Sequence, residues 1–254
     1  MFTYSSIAGN PFRTVALLVK QLLRNSAQVS RNGGSEALGA NNLPRMTLPS
    51  VWMRPVSWLV PIRKLSPWHK PKIEAHLLGL APEDRYLRFG YAASDEQVRR
   101  YVAGIDFHRD DVFGIYNRKL QLVAMAHLAR STDEKHTACA EFGVSVLASA
   151  RGRGYGSRLF DRAVMHARNH RVQLLFIHAL SENKPMLRIA RKSGATVERD
   201  GPESNAYLKL PPPDMEGMVQ EMVDEQIAQT DYWLKVQARD FRAWLDHVKH
   251  GRLG

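Results

Sequence analysis

The stretch that most restricts what this chain can fold into runs from Glu141 to Phe160. Glu141-Phe142-Gly143-Val144-Ser145-Val146 is strand-like, Arg151-Gly152-Arg153-Gly154-Tyr155-Gly156-Ser157 is a basic glycine loop, and Arg158-Leu159-Phe160 opens a helical pattern. A helix that begins at such a loop leaves its first N–H groups without intrahelical partners, and its dipole adds partial positive charge there. That combination suits a pyrophosphate. Glycines at 152, 154 and 156 let the main chain approach the phosphates, while Arg151, Arg153 and Arg158 supply charge. A nucleotide P-loop needs Lys-Ser/Thr after its last glycine, and Gly156 is followed by Ser157-Arg158. The dinucleotide fingerprint needs two residues between its last two glycines, and only Tyr155 stands there. Neither motif fits.

Around this loop, residues 56–210 alternate between strand-like and helix-like segments, the mark of a mixed α/β domain. A first strand is expected over 56–65, then two helices. In 71–80, Ile73, Leu77, Leu78 and Leu80 form one stripe; 94–105 starts at Ser94 as N-cap and offers Val98, Val102 and Ile105 to a core. Three consecutive antiparallel strands follow over 112–116, 120–129 and 137–146, the first two joined by a short turn at 117–119. After the loop come a helix at 155–169, a buried strand at 173–179, a helix at 184–193, and two short strands starting at Thr196 and Ala206.

The tail, 211–254, opens with three prolines and has Asp214 placed to cap a long helix ending near Gly251. Val219, Val223, Ile227, Thr230, Leu234, Ala238, Phe241, Leu245 and Val248 recur at spacings of three and four, giving an apolar stripe. The stripe suits packing on the chain's own domain or pairing with a second copy, and 229–231 is a possible break into a hairpin. Residues 1–55 read as a mostly disordered extension, with a Gly/Asn/Ser-rich stretch at 30–42. A basic amphipathic segment at 12–24 suits an organelle-targeting or membrane-surface role; an upstream start codon, with Met46 or Met53 as the true beginning, is the plainer reading.

Charge and cysteine content narrow the function classes. The formal charge is +11, with 25 basic against 16 acidic residues in 57–210 and five against eight in 211–254. A basic middle suits a polyanion, coenzyme A or nucleic acid alike. No helix-turn-helix, zinc-ligand set or aromatic RNA-binding motif accompanies it, so nucleic acid is not expected. The single cysteine, Cys139, excludes an internal disulfide and a multi-cysteine zinc site, so no metal is expected and a cytoplasmic setting is the default. No apolar run reaches the ~18 residues of a membrane span.

Within that frame, Arg151-x-x-Gly154-x-Gly156, five residues after the strand, resembles the Arg/Gln-x-x-Gly-x-Gly/Ala motif of the GNAT superfamily of N-acetyltransferases. The block from Asn183 through Lys192-Ser193-Gly194-Ala195 resembles that family's next motif, and Leu80-Ala81-Pro82-Glu83-Asp84-Arg85-Tyr86-Leu87-Arg88-Phe89 resembles the first-helix region of the protein-lysine-acetyltransferase branch. The resemblance covers residues 56–210. It implies the GNAT fold, a central mixed and mostly antiparallel sheet flanked by helices, with acetyl-CoA as co-substrate. It further implies that 151–157, including Gly152, Tyr155 and Ser157, hold the pyrophosphate. Phe142, Val144 and Val146 would offer main-chain contacts to the pantetheine arm, the N–H near Val144 would polarise the thioester carbonyl, and Asn183 would fix the arm. Glu141 would act as general base on the amine of a small molecule or a protein lysine, with His127 and His178 in reserve. One position departs from the family: Ala190 stands where many members carry a Tyr that protonates the leaving thiolate. A non-catalytic acyl-CoA-binding domain is the alternative.

Overall fold

The computed structural model describes residues 60–131 and 138–250. The expectations for 1–55, the amphipathic segment at 12–24 among them, lie outside the described residues. The elements below belong to one compact unit.

Seven strands form one sheet: β1 (Arg63–Leu65), β2 (Asp111–Tyr116), β3 (Leu122–Arg130), β4 (Cys139–Val146), β5 (Leu174–Leu180), β6 (Thr196–Asp200) and β7 (Glu203–Lys209). Their order is β1-β2-β3-β4-β5-β7-β6, and every neighbouring pair is antiparallel except β4–β5. The sheet is thus mixed and mostly antiparallel. All six residues of β2 and eight of nine in β3 are buried, because helices cover both faces and leave no polar side to alternate with.

On one face lie α1 (Lys70–Leu78), α2 (Pro82–Phe89) and α3 (Asp95–Ala103). Ile73, Leu77, Val98 and Val102 enter a core with Val112, Tyr116 and Met125. Ser94 caps α3 as its sequence predicts, accepting from the Gln97 N–H. Three helices stand here, where hydrophobic periodicity anticipated two. The additional one, α2, has no buried residue and starts at Pro82; Arg85 ties it to the Leu78 and Ala93 carbonyls, and Gly90 closes it at φ 80°. The first strand is also short. Only Arg63–Leu65 pairs with β2, while 56–59 lie outside the described residues.

The opposite face carries α4 (Tyr155–Asn169), whose Leu159, Phe160 and Ala163 are buried, with Phe160 edge-on to Phe142 of β4 at 5.0 Å between centroids. α5 (Lys184–Lys192) follows β5. The tail is α6 (Met215–His250), 36 residues without interruption, so the possible break at 229–231 does not occur.

α6 docks by a different face from the apolar stripe. Gly217 and Ala228 are buried, Arg162 of α4 reaches Glu221 at 2.8 Å and Glu225 at 3.4 Å, Lys72 of α1 reaches Tyr232 at 3.0 Å, and Lys235 reaches the Tyr116 carbonyl at 3.0 Å. Val219, Val223, Leu234, Phe241 and Val248 are 37–59% exposed. Polar anchors therefore set the rotation of the helix.

Candidate active site

Strands β4 and β5 pair only over Cys139–Glu141 against Leu174–Phe176. Beyond Glu141 they part, while β4 stays paired to β3 as far as Val146 and β5 stays paired to β7 as far as Leu180. The main chain of Phe142, Val144 and Val146 therefore borders a gap inside the sheet. Unpaired strand edges accept an extended amide chain as an added strand.

The glycine loop lies at the open end of that gap. Gly152 and Gly154 have φ of 75° and 72°, and a Cβ at either would meet no atom within 4 Å, so these glycines are required by backbone conformation and leave open space above the loop. Gly154 is the N-cap of α4, and the first intrahelical bond runs from Arg158 N to Gly154 O at 3.1 Å. The Tyr155, Gly156 and Ser157 amides are the helix's leading donors. Gly156 packs on Ile189 of α5, where a Cβ would sit 3.3 Å from Cδ1. This brings alongside the loop the helix that carries Lys184, Arg188, Arg191 and Lys192, all exposed and lining a shared recess. Arg151 is ion-paired to Asp84 of α2, and Arg153 is exposed.

Register places Glu141, Gly143 and Ser145 on the α1–α3 face, opposite Ala129, His127 and Met125. Glu141 thus sits where the strands diverge. Burial pushes its carboxyl above the ordinary value, and His178 and Arg88 act against that. His178 projects from β5 on the same face, its Nδ1 2.9 Å from Asn205 Oδ1. His127 is enclosed: Nδ1 lies 2.6 Å from the Tyr101 hydroxyl and Nε2 lies 3.2 Å from Asp110. Burial lowers its pKa. At 3% exposure it cannot touch an acceptor, so of the two reserve bases only His178 borders the gap. Asn183 spends its side chain locally: Oδ1 accepts from Met186 N at 3.2 Å, and Nδ2 reaches the Leu87 carbonyl at 3.4 Å, tying α2 to the start of α5. Ala190 is fully buried, and its side chain carries no proton donor.

Sequence reasoning gave no role to Arg88 and Tyr101. The Arg88 guanidinium lies directly on Gly143, within 2.8 Å of where a Cβ would stand, and donates to the Tyr101 hydroxyl at 2.8 Å. A buried polar chain results, Asp110–His127–Tyr101–Arg88, that ends beside Glu141. Burial raises the Tyr101 pKa; for Asp110, burial raises it and the His127 and Arg109 contacts outweigh that. No spacing joins these residues in the sequence, because they come from four separate elements.

A second cluster, His166, His170 and Glu221, brings potential metal-ligand atoms together between α4 and α6. Those atoms are already used. Glu221 binds His166 and Arg162 through Oε1 and Asn169 through Oε2, while the other His166 nitrogen is 3.0 Å from Asp111. The arrangement is an ion-pair clamp on the tail.

Two comparisons bear on this geometry. The sequence matches the acetyltransferase (GNAT) family over residues 74–195. The GNAT domain of S. lividans PAT superposes with a TM-score of 0.51 at 18% identity, covering 59% of this chain and 89% of that one. An acetyltransferase structure from Acinetobacter baylyi ADP1 gives 0.51 at 16%, covering 60% and 93%. Over these 122 of its 254 residues the chain is similar to the GNAT acetyltransferases, and it shares the fold of the two solved structures.

Proposed function

We propose that this protein moves an acetyl group from acetyl-CoA to a primary amine by direct attack. The observation that carries this reading is the parting of β4 and β5 beyond Glu141, with a glycine-capped helix start at the open end. An extended pantetheine chain fits between the strands along Phe142, Val144 and Val146, and the pyrophosphate fits against 151–157. The row Lys184, Arg188, Arg191 and Lys192 adds positive charge beside it. Glu141 takes a proton from the acceptor ammonium, the amine nitrogen bonds to the acyl carbon, and the carbon–sulfur bond breaks with its electron pair leaving on sulfur, which takes up the second proton released by the nitrogen. The amide N–H near Val144 donates to the carbonyl oxygen as charge builds there. A base of raised pKa is well matched to this work near neutral pH.

Burial of Glu141 sets the sign of the pH dependence. The carboxylate form is the active one, so kcat/KM rises with pH through an acid limb displaced above the ordinary carboxylate range. Free-thiol release with acetyl-CoA and an amine panel tests the reading. Saturable, amine-dependent release that falls by about 100-fold in Glu141→Gln, with loss of the acid limb, supports it.

A second reading, a non-catalytic acyl-CoA sensor, draws on the absence of a hydroxyl at Ala190. Binding of acetyl-CoA with no thiol release from any amine would establish it. We also propose that the exposed stripe of α6 pairs with a second copy of the chain, motivated by Leu234, Phe241 and Val248 at 55, 59 and 37% exposure.

A further inference from the structure

The gap is bordered by two opposite charges that do not neutralise each other. Among the described residues, neither Arg88 nor Glu141 forms an ion pair, although each lies within the other's electrostatic field. Arg88 spends Nη2 on the Tyr101 hydroxyl, and its buried Nε has no partner. The guanidinium is not loosely placed. It rests on Gly143, stacks its charge 5.4 Å from the Tyr101 ring centroid and 5.3 Å from that of Phe89, and is braced through Tyr101 by His127 and Asp110. Holding a half-buried cation without a counter-ion is costly unless a ligand supplies one.

Glu141 and Gly143 are two residues apart on one face of β4, a separation of about 6.6 Å at ~3.3 Å per residue. A carboxylate rising from Glu141 and a guanidinium resting on Gly143, on one face of the strand, match a molecule with a cationic and an anionic end a few bonds apart. Guanidinium also presents a planar pair of donors that suits a carboxylate. Behind these charges, Phe176 and Tyr207 meet edge-on at 5.2 Å between centroids on the same face, offering an apolar wall to a side chain.

Resting on the acyl-transfer reading above, we infer that the acceptor is a free amino acid or a similarly small aminocarboxylate: its amine faces Glu141 and its carboxylate pairs with Arg88. A lysine within a polypeptide lacks the carboxylate that Arg88 requires. Arg88 is then a specificity residue, and Tyr101, His127 and Asp110 position it.

The test uses the full chain with acetyl-CoA and pairs each amino acid with the amine left by its decarboxylation, such as leucine with 3-methylbutylamine and phenylalanine with phenethylamine, beside a lysine-containing peptide. The expected result is a kcat/KM at least tenfold higher for the best amino acid than for its decarboxylated partner. Arg88→Gln should bring that ratio close to one by slowing the amino acid far more than the amine, and Arg88→Lys should restore part of it. Equal wild-type rates within each pair, or a preference for the peptide, overturn the inference without any variant. An equal loss on both members of a pair in Arg88→Gln also overturns it, assigning the guanidinium to the reacting acyl group instead. Acetyl-CoA binding with no thiol release from any acceptor sinks the acyl-transfer reading itself, and this inference with it.

Discussion

Gly143 and Gly154 show two different reasons for a glycine within one site. At 143 a Cβ would collide with a guanidinium, whereas at 154 space is open and the positive φ is what excludes other residues. The distinction yields a prediction. Gly154→Asp puts a carboxylate where the phosphates are proposed to lie, and aspartate tolerates the left-handed region better than most residues. Acetyl-CoA affinity should therefore fall by more than 100-fold in calorimetry while the circular dichroism spectrum stays that of wild type; retained affinity would remove the loop from the binding site. Of the residues singled out by motif, Glu141 and the 151–157 loop stand at opposite ends of the gap. Asn183 stands at its edge but turns its side chain to capping. Arg88 had no legible role because the residue it rests on is 55 positions later in the chain.

Among the elements, the tail helix shows best how packing overrules periodicity. Hydrophobic spacing offered a stripe that includes Val219, Val223, Leu234, Phe241 and Val248 either to the chain's own domain or to a second copy, and the structure leaves these five exposed. Glu221 explains the rotation: it sits between Arg162 and His166, whose side chains are 4% and 3% exposed. Burial raises the Glu221 pKa, and the hydrogen bonds from His166, Arg162 and Asn169 outweigh that, so the folded carboxyl titrates well below its ordinary value. Asp111 behaves alike, with His166 and Lys64 outweighing burial. A depressed folded pKa means that this stabilisation is complete above the unfolded carboxylate pKa near ~4 and is lost as pH falls below it. Glu221→Ala should accordingly cost about 3 kcal/mol at neutral pH, the lower end for breaking a buried pair, and less at pH 3. Denaturant midpoints at the two pH values measure this, and an equal cost at both would refute the clamp.

At the scale of the whole molecule, 36 helical residues span about 54 Å at ~1.5 Å per residue. The helix therefore carries apolar side chains past the last residue that packs on the core. Among the described residues no helix is long and apolar enough to cross a membrane. Pairing between copies predicts a dimer mass in light scattering, shifting to monomer in the double variant Leu234→Arg, Phe241→Arg with unaltered acetyl-CoA binding. A monomeric wild type at micromolar concentration would dismiss it.

Local chemistry was enough to make the strand–loop–helix unit, the N-cap at Ser94 and the antiparallel run of β2, β3 and β4 legible, since each depends on residues close in sequence. The 155–169 helix is legible to the residue for the same reason: a glycine loop starts it, and the left-handed Arg171 (φ 61°) follows its end. Three features were decided only in three dimensions. Where β4 leaves β5 depends on which neighbour each strand keeps. Which side of α6 faces inward depends on buried ions from α4 and β2, and the cation beside Glu141 depends on a polar chain assembled from α2, α3, β3 and the turn before β2. Each is a balance among groups distant in sequence, and no spacing along a chain encodes which of them will meet.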